Sequence, residues 1–251
     1  MAERLLFRLM GIGDPAHYLH SFYMRRELAR FPGFDPARVL DAGCDAGDFS
    51  FYLARQYPRA EVLGVDINEE RLQQNREMAV RLGIANVRFE SADLAAADFP
   101  ARFDLVVSID VLEHIRQQQE ALASLSRALR PGGYAFFHLP TVRERPVPLS
   151  RWLTGFHAWA EKEHTAKEAT ADEFVGMVRG TGLEVLHAYR TFGYFTGELA
   201  NSLFVLPFEP TTRNSILLGL LAVPCRVLAW ADTWKIERTR YAVAVVARKP
   251  A

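Results

Sequence analysis

Val39-Leu40-Asp41-Ala42-Gly43-Cys44-Asp45-Ala46-Gly47-Asp48-Phe49-Ser50 is the stretch on which the fold turns. Residues 38–43 form a short apolar run of strand type, and residues 47–57 carry apolar side chains at helical spacing. Between them stand two glycines, Gly43 and Gly47. A strand that turns on glycine directly into a helix lets a ligand approach bare backbone at the positive end of the helix dipole. Taken alone, the same turn serves equally well as a tight connection with no ligand.

The flanking sequence repeats the pattern. Strand-type runs at 61–67, 87–94, 103–110 and 132–140 alternate with helical patterns at 68–82 and 111–130, punctuated by Pro58, Gly83 and Pro131. This alternation predicts an α/β fold with five parallel strands joined by crossover helices. The strand runs are almost continuously apolar, as expected of strands covered by helices on both faces. After Pro140, the prolines at 146 and 148 mark an irregular segment expected to lie over the site, followed by an Asp-initiated helix, Asp172 to Gly180. Two further strand-like runs, 183–192 and 239–247, are separated by residues 193–238, far more than the roughly 2–5 residues of a hairpin connection.

Composition narrows the function. A chain of 251 residues is long enough for one sizeable α/β domain. Lys plus Arg number 30 and Asp plus Glu number 30, so no net field recruits nucleic acid. Two cysteines, Cys44 and Cys225, make no disulfide framework, and a cytoplasmic address is expected. The N-terminal residues lack the pattern of a signal peptide. The longest apolar stretch, Ile216 to Ala231, is interrupted by Pro224 and Arg226 and falls short of the roughly 20 residues of a transmembrane helix.

Carboxylates stand at the ends of consecutive strands. Asp66 closes the second and Asp93 the third, both on the carboxyl edge where open α/β sheets bind ligands. Asp66 suits two ribose hydroxyls, or equally caps the helix that starts near Glu69; Asp93 suits an adenine amino group. Asp41 argues against a nicotinamide dinucleotide, whose G-x-G-x-x-G fingerprint is absent.

The ordered set VLDAGCDAGDFS, VLGVDINEERL, SADL, FDLVVSIDVLEHI and ALRPGGYAFFHLP resembles class I S-adenosylmethionine-dependent methyltransferases, of the methyltransferase type 11 and ubiquinone-biosynthesis-like kind, over residues 36–194. The resemblance implies a doubly wound, mostly parallel seven-stranded sheet with the last strand antiparallel. It also implies S-adenosylmethionine as cofactor. Asp41, Gly43, Cys44 and Gly47 would form the loop beneath the methionine part; Asp66 would bind ribose; Ile67, Asp93 and Leu94 would surround the adenine; Asp110 would line the methionine end. Asp45 stands where the family often has glycine, so that the loop is either displaced or presents charge to the cofactor's amino group. The N-terminal residues resemble the family's cap helix, which places Tyr18 and Arg25 near the methionine carboxylate.

S-adenosylmethionine brings an activated methyl, so the protein needs mainly to align a small acceptor, with oxygen favoured over carbon or nitrogen. His114 is the candidate base for a hydroxyl acceptor, with a helix-surface role as the alternative. No metal is expected. The alternative set is Asp110, Glu113, His114 and His164, which resembles the metal site of small-RNA 2′-O-methyltransferases. A non-methylating enzyme or regulatory module on the same cofactor fold is the other reading. Trp152, Phe156, Trp159, Phe192, Tyr194 and Phe195 suggest an apolar or aromatic acceptor pocket, or ordinary core. The expected organisation is a single domain: a cap (1–33), a cofactor-binding core (34–194), a helical insertion (195–238) and a last strand (239–251). The insertion, rich in Leu, Val and Phe, is expected to be a lid or a docking surface for a lipophilic acceptor, with peripheral membrane contact; packing on the core is its other fate.

Overall fold

A computed structural model describes residues 15–31, 33–141, 169–191 and 242–251. In chain order these form α1 (Pro15–Leu28), β1 (Arg38–Ala42), α2 (Asp48–Gln56), β2 (Glu61–Asp66), α3 (Glu69–Leu82), β3 (Val87–Ser91), β4 (Phe103–Ile109), α4 (Gln118–Ala128), β5 (Leu129–Pro140), α5 (Ala171–Gly180), β6 (Glu184–Thr191) and β7 (Ala242–Arg248). The seven strands make one sheet in the order β3-β2-β1-β4-β5-β7-β6. Pairings among β1 to β5 are parallel, and β7 runs antiparallel between β5 and β6. The doubly wound seven-stranded sheet with an antiparallel last strand is therefore as expected.

Alternation along each strand feeds two cores. Val39, Val62, Leu105, Val107 and Phe136 face one side, where Met24 of α1, Phe49 and Leu53 of α2 and Leu72 of α3 cover them. Leu40, Leu63, Val106 and Phe137 face the other, under Leu122 and Leu125 of α4 and Phe174 and Val178 of α5. Strand β4 is buried at every position, as the sequence expectation of a two-sided cover requires. Asp104, near its start, staples three strands: its carboxylate accepts the N–H groups of Ala37 and Arg38, each at 2.8 Å, and pairs with Arg130. Burial acts to raise the Asp104 carboxyl, but these donors outweigh it and hold it below the usual carboxylate range.

Helix ends follow local chemistry. Asn68 caps α3 by accepting the Arg71 N–H at 3.2 Å, and Gly83 closes it at φ +69°. Helix α5 starts on Thr170, whose hydroxyl and Glu173 form a reciprocal capping box, so Asp172 lies in the first turn and is not the cap.

The helix expected over 111–130 is divided. Asp110 adopts φ +53°, residues 112–114 form a single 3₁₀ turn, and α4 begins only at Gln118. The Leu112 carbonyl accepts both the Ile115 N–H and the Gln118 side-chain amide at 2.9 Å, which closes the turn before a helix can propagate. Strand β5 starts at Leu129, earlier than the expected 132, because Leu129 already pairs with Phe103 before a register shift, after which pairing continues from Tyr134 with Leu105.

Candidate active site

The carboxyl ends of β1, β2 and β4 converge on one crevice edge. At the end of β1, Gly43 takes φ +80°, and the N–H groups of Gly43 and Cys44 both donate to the Val65 carbonyl, at 2.8 and 2.9 Å. The loop is thereby tied to the end of β2. A Cβ on Gly43 would lie 2.9 Å from Cβ of Val111 and nearer still to both its methyls, so the first glycine is required by sterics as well as by its φ. Gly47 precedes α2 at φ +76°. Asp41 is buried and accepts the Ser50 hydroxyl at 2.5 Å, which fixes the loop from beneath.

Asp66 uses both carboxylate oxygens. Oδ2 accepts the Asp45 N–H and Oδ1 the Asn68 N–H, each at 2.9 Å. Because Asn68 caps α3, Asp66 is not the helix cap; it is a partly exposed acceptor joining the glycine loop to the end of β2. Asp45 itself, at φ +36°, turns its carboxylate to Arg71 Nε at 3.2 Å, while its carbonyl accepts from Asn75 at 2.6 Å. Its charge is thus answered by α3.

Ile67 is 75% exposed, an unusual setting for a large aliphatic side chain and one that suits the face of a planar ring. Asp93 is exposed and accepts the Ala95 N–H at 2.9 Å, and Leu94 is buried beside it. Cys44 is buried, and its thiol is pushed far above the ordinary range by that burial and by Asp41 and Asp66, so it is packing and not a nucleophile. Arg25 on α1 lies with its guanidinium 4.4 Å over the Tyr52 ring of α2. The side chain of Tyr18 and residues Trp152, Phe156, Trp159, His164, Phe192, Tyr194, Phe195 and 195–238 lie outside the described residues.

At the end of β4 the structure makes a grouping that the sequence did not announce. Asp110 Oδ1 lies 2.7 Å from Nδ1 of His138, on β5, while Oδ2 pairs with Nδ1 of His20, on α1. The second nitrogen of His138 meets Thr191 Oγ1 of β6 at 2.8 Å, and Tyr23 stacks alongside its ring. Burial tends to raise the Asp110 carboxyl, but the two imidazoles overcome it and hold it well below the usual carboxylate range. Glu113, three residues on, is the converse: burial and the Asp110 charge drive its carboxyl well above the ordinary value, and its Oε2 has no hydrogen-bond partner among the described residues. His114 is exposed at the rim, 3.9 Å from Glu113 Oε1. Asp110, Glu113 and His114 therefore do not converge as a ligand set; among the described residues, the trio with ligand atoms within 4.8 Å of one another is His20, Asp110 and His138. The available signal was a single histidine inside the apolar run of β5, together with a second in the cap helix.

A methyltransferase-domain family model matches residues 34–188. A ubiquinone biosynthesis O-methyltransferase of Leptothrix cholodnii is 29% identical over 180 residues, covering 69% of this chain and 75% of its own length. A trans-aconitate 2-methyltransferase of Variovorax paradoxus is 34% identical over 136 residues, covering 53% of this chain and 51% of its own. The chain thus spans between about half and three quarters of these relatives. In fold, it superposes on phosphoethanolamine N-methyltransferase 2 of Haemonchus contortus, solved with S-adenosylmethionine, with a TM-score of 0.63 at 20% identity, over 89% of this chain and 51% of that one. With a glycine loop, a strand-end carboxylate and an exposed apolar side chain set on this sheet, and a family match over most of its core, the chain belongs to the class I S-adenosylmethionine-dependent methyltransferases.

Proposed function

We propose that the chain transfers a methyl group from S-adenosylmethionine to an oxygen of a small acceptor. The observation that carries the cofactor part is Asp66: a partly exposed carboxylate fastened to the glycine loop, with Ile67 75% exposed beside it. In this reading Asp66 accepts from the ribose hydroxyls, and Ile67, Asp93 and Leu94 hold the adenine. Asp41, Gly43, Cys44 and Gly47 support the methionine part, with Asp110 at its far end and Tyr18 and Arg25 near its carboxylate. When bound, the cofactor supplies a methyl already activated on a positive sulfur, so the protein's task is alignment and exclusion of water. His114, exposed at the rim, is the base toward an acceptor hydroxyl. Residues 195–238 serve as the lid or docking surface on the acceptor side.

Oxygen is favoured by the relative named for O-methylation in ubiquinone biosynthesis, which points to a hydroxylated aromatic acceptor. A second reading, a small polycarboxylate acceptor, rests on the relative named for trans-aconitate. No helix among the described residues is long and apolar enough to cross a membrane; contact with a membrane surface through residues 195–238 is part of the proposal.

The test combines binding and turnover. Wild type should bind S-adenosylmethionine in a calorimetric titration, and Asp66→Ala should weaken it by roughly 5- to 150-fold, the consequence of about 1–3 kcal/mol for unpaired donors. Release of S-adenosylhomocysteine should follow addition of a catechol-type acceptor or, on the second reading, of a tricarboxylate, and His114→Ala should lower turnover more than affinity. No binding by wild type removes the proposal; binding without turnover on any acceptor leaves the non-methylating reading in its place.

A further inference from the structure

We infer that His20, Asp110 and His138 form a binding site for one divalent transition-metal ion of the Zn²⁺, Co²⁺ or Fe²⁺ class. The site differs from the D-x-x-E-H set that the sequence suggested, and it stands whether or not the acceptor reading holds.

Three elements distant in sequence bring the ligands together: α1 supplies His20, the residue after β4 supplies Asp110, and β5 supplies His138. Two Nδ1 atoms flank a single carboxylate, and all three ligand atoms lie within 4.8 Å of one another. That spread is what a cation with bonds of about 2.0–2.2 Å encloses after small adjustments. Two imidazoles and one carboxylate suit borderline first-row ions better than the hard Mg²⁺ or Ca²⁺, which prefer all-oxygen shells.

Outer contacts present the ligands. His138 Nε2 lies 2.8 Å from Thr191 Oγ1 and Nδ1 2.7 Å from Asp110 Oδ1; a metal ion on Nδ1 takes the place of the proton shared with Asp110, and Nε2–H then donates to the Thr191 hydroxyl oxygen. Tyr23 stacks on the His138 ring at 14° between planes and holds its orientation. The His138 side chain is fully buried, whereas those of His20 and Asp110 retain 19% and 23% exposure, which supplies an entry path. The ion takes the place of the protons that the imidazoles share with Asp110, so binding releases protons to solvent. Three protein ligands leave coordination positions for water or for an oxygen of a small molecule, at the strand ends where such sheets take their ligands.

The experiment is a Co²⁺ titration of the full, tag-free chain after chelator treatment, followed by visible ligand-field absorption and by calorimetry. One equivalent should bind with a visible band, and Zn²⁺ should bleach it. Asp110→Asn and His20→Ala should each weaken binding by at least the roughly 10- to 100-fold that loss of even an outer-shell partner costs, and Thr191→Val should fall in that range. His138→Gln is buried and carries the risk of misfolding; His20→Ala, on the half-exposed helix, and thermal melting of every variant keep the test decisive. Absence of a band in wild type overturns the inference. So does a band that survives His20→Ala and Asp110→Asn in folded protein, or one that is lost with Glu113→Gln or His114→Ala instead.

Discussion

Replacing Gly43 by alanine tests how the glycine loop is held. The left-handed φ of +80° costs a residue with a Cβ about 1–2 kcal/mol. Independently, that Cβ would lie 2.9 Å or less from three side-chain carbons of Val111, and overpacking of this kind costs about 1–3 kcal/mol. Together these give about 2–5 kcal/mol, a large share of the roughly 5–15 kcal/mol by which domains are stable. For a chain of this length the melting temperature should fall by roughly 4–20 °C. A second substitution separates the two contributions. Val111→Ala removes the two colliding methyls but keeps its Cβ, 2.9 Å away, so the double variant should recover most of the roughly 1–3 kcal/mol of steric cost and none of the backbone cost, apart from the small loss of Val111 packing itself. The assay is urea denaturation of wild type, both single variants and the double variant, read as a double-mutant cycle. Additive losses would refute the steric argument, and an unchanged stability of Gly43→Ala would refute both parts. S-adenosylmethionine affinity should follow the same cycle, because Val111 adjoins the end of β4 and Gly43 the end of β1.

Two further outcomes concern stability. Asp104 has a folded-state carboxyl lowered by its donors, so its contribution is complete above the unfolded value near 3.8 and is lost as pH falls through the lower folded value. Asp104→Asn should therefore be less stable at pH 7 by about 2–3 kcal/mol, with the gap closing in melts taken progressively below pH 4; a gap that is constant with pH would refute it. Thr170→Ala removes the cap hydroxyl of α5 and should cost about 1 kcal/mol, or roughly 2–4 °C in melting temperature, whereas Thr170→Ser should retain most of it.

The centre of the sheet is legible in the sequence because β1, β2, β4 and β5 are apolar runs closed by Gly, Asp or Pro, whereas the outer strands β3 and β6 mix polar with apolar residues. Boundaries are less so where local chemistry competes. Leu112 and Ile115 fit the apolar spacing of the expected helix over 111–130, yet Asp110 enters the left-handed region and Gln118 captures the Leu112 carbonyl, which no periodicity records. The strand-end carboxylates Asp66 and Asp93 are visible from position alone. Whether Asp66 caps α3 is not, since Asn68 two residues on competes for that role and wins it. His20 and His138 are the instructive pair. They lie on α1 and β5, and only the tertiary arrangement sets both against Asp110, so no spacing rule links them.

Placement of β7 inside the sheet dictates an order of assembly. Among the described residues β6 pairs only with β7, so residues 184–191 join this sheet through residues 242–248 once those have been synthesised and docked. Tyr134 must find Arg248, a contact of high sequence separation, and Lys249 then donates to the carbonyls of Ser126, Arg127 and Leu129 at the end of α4. During synthesis the edge of β5 from Tyr134 to Pro140 waits for its β7 partner while about a hundred further residues emerge. That edge is the place where a growing chain is exposed to mispairing, and where a chaperone has most to shield.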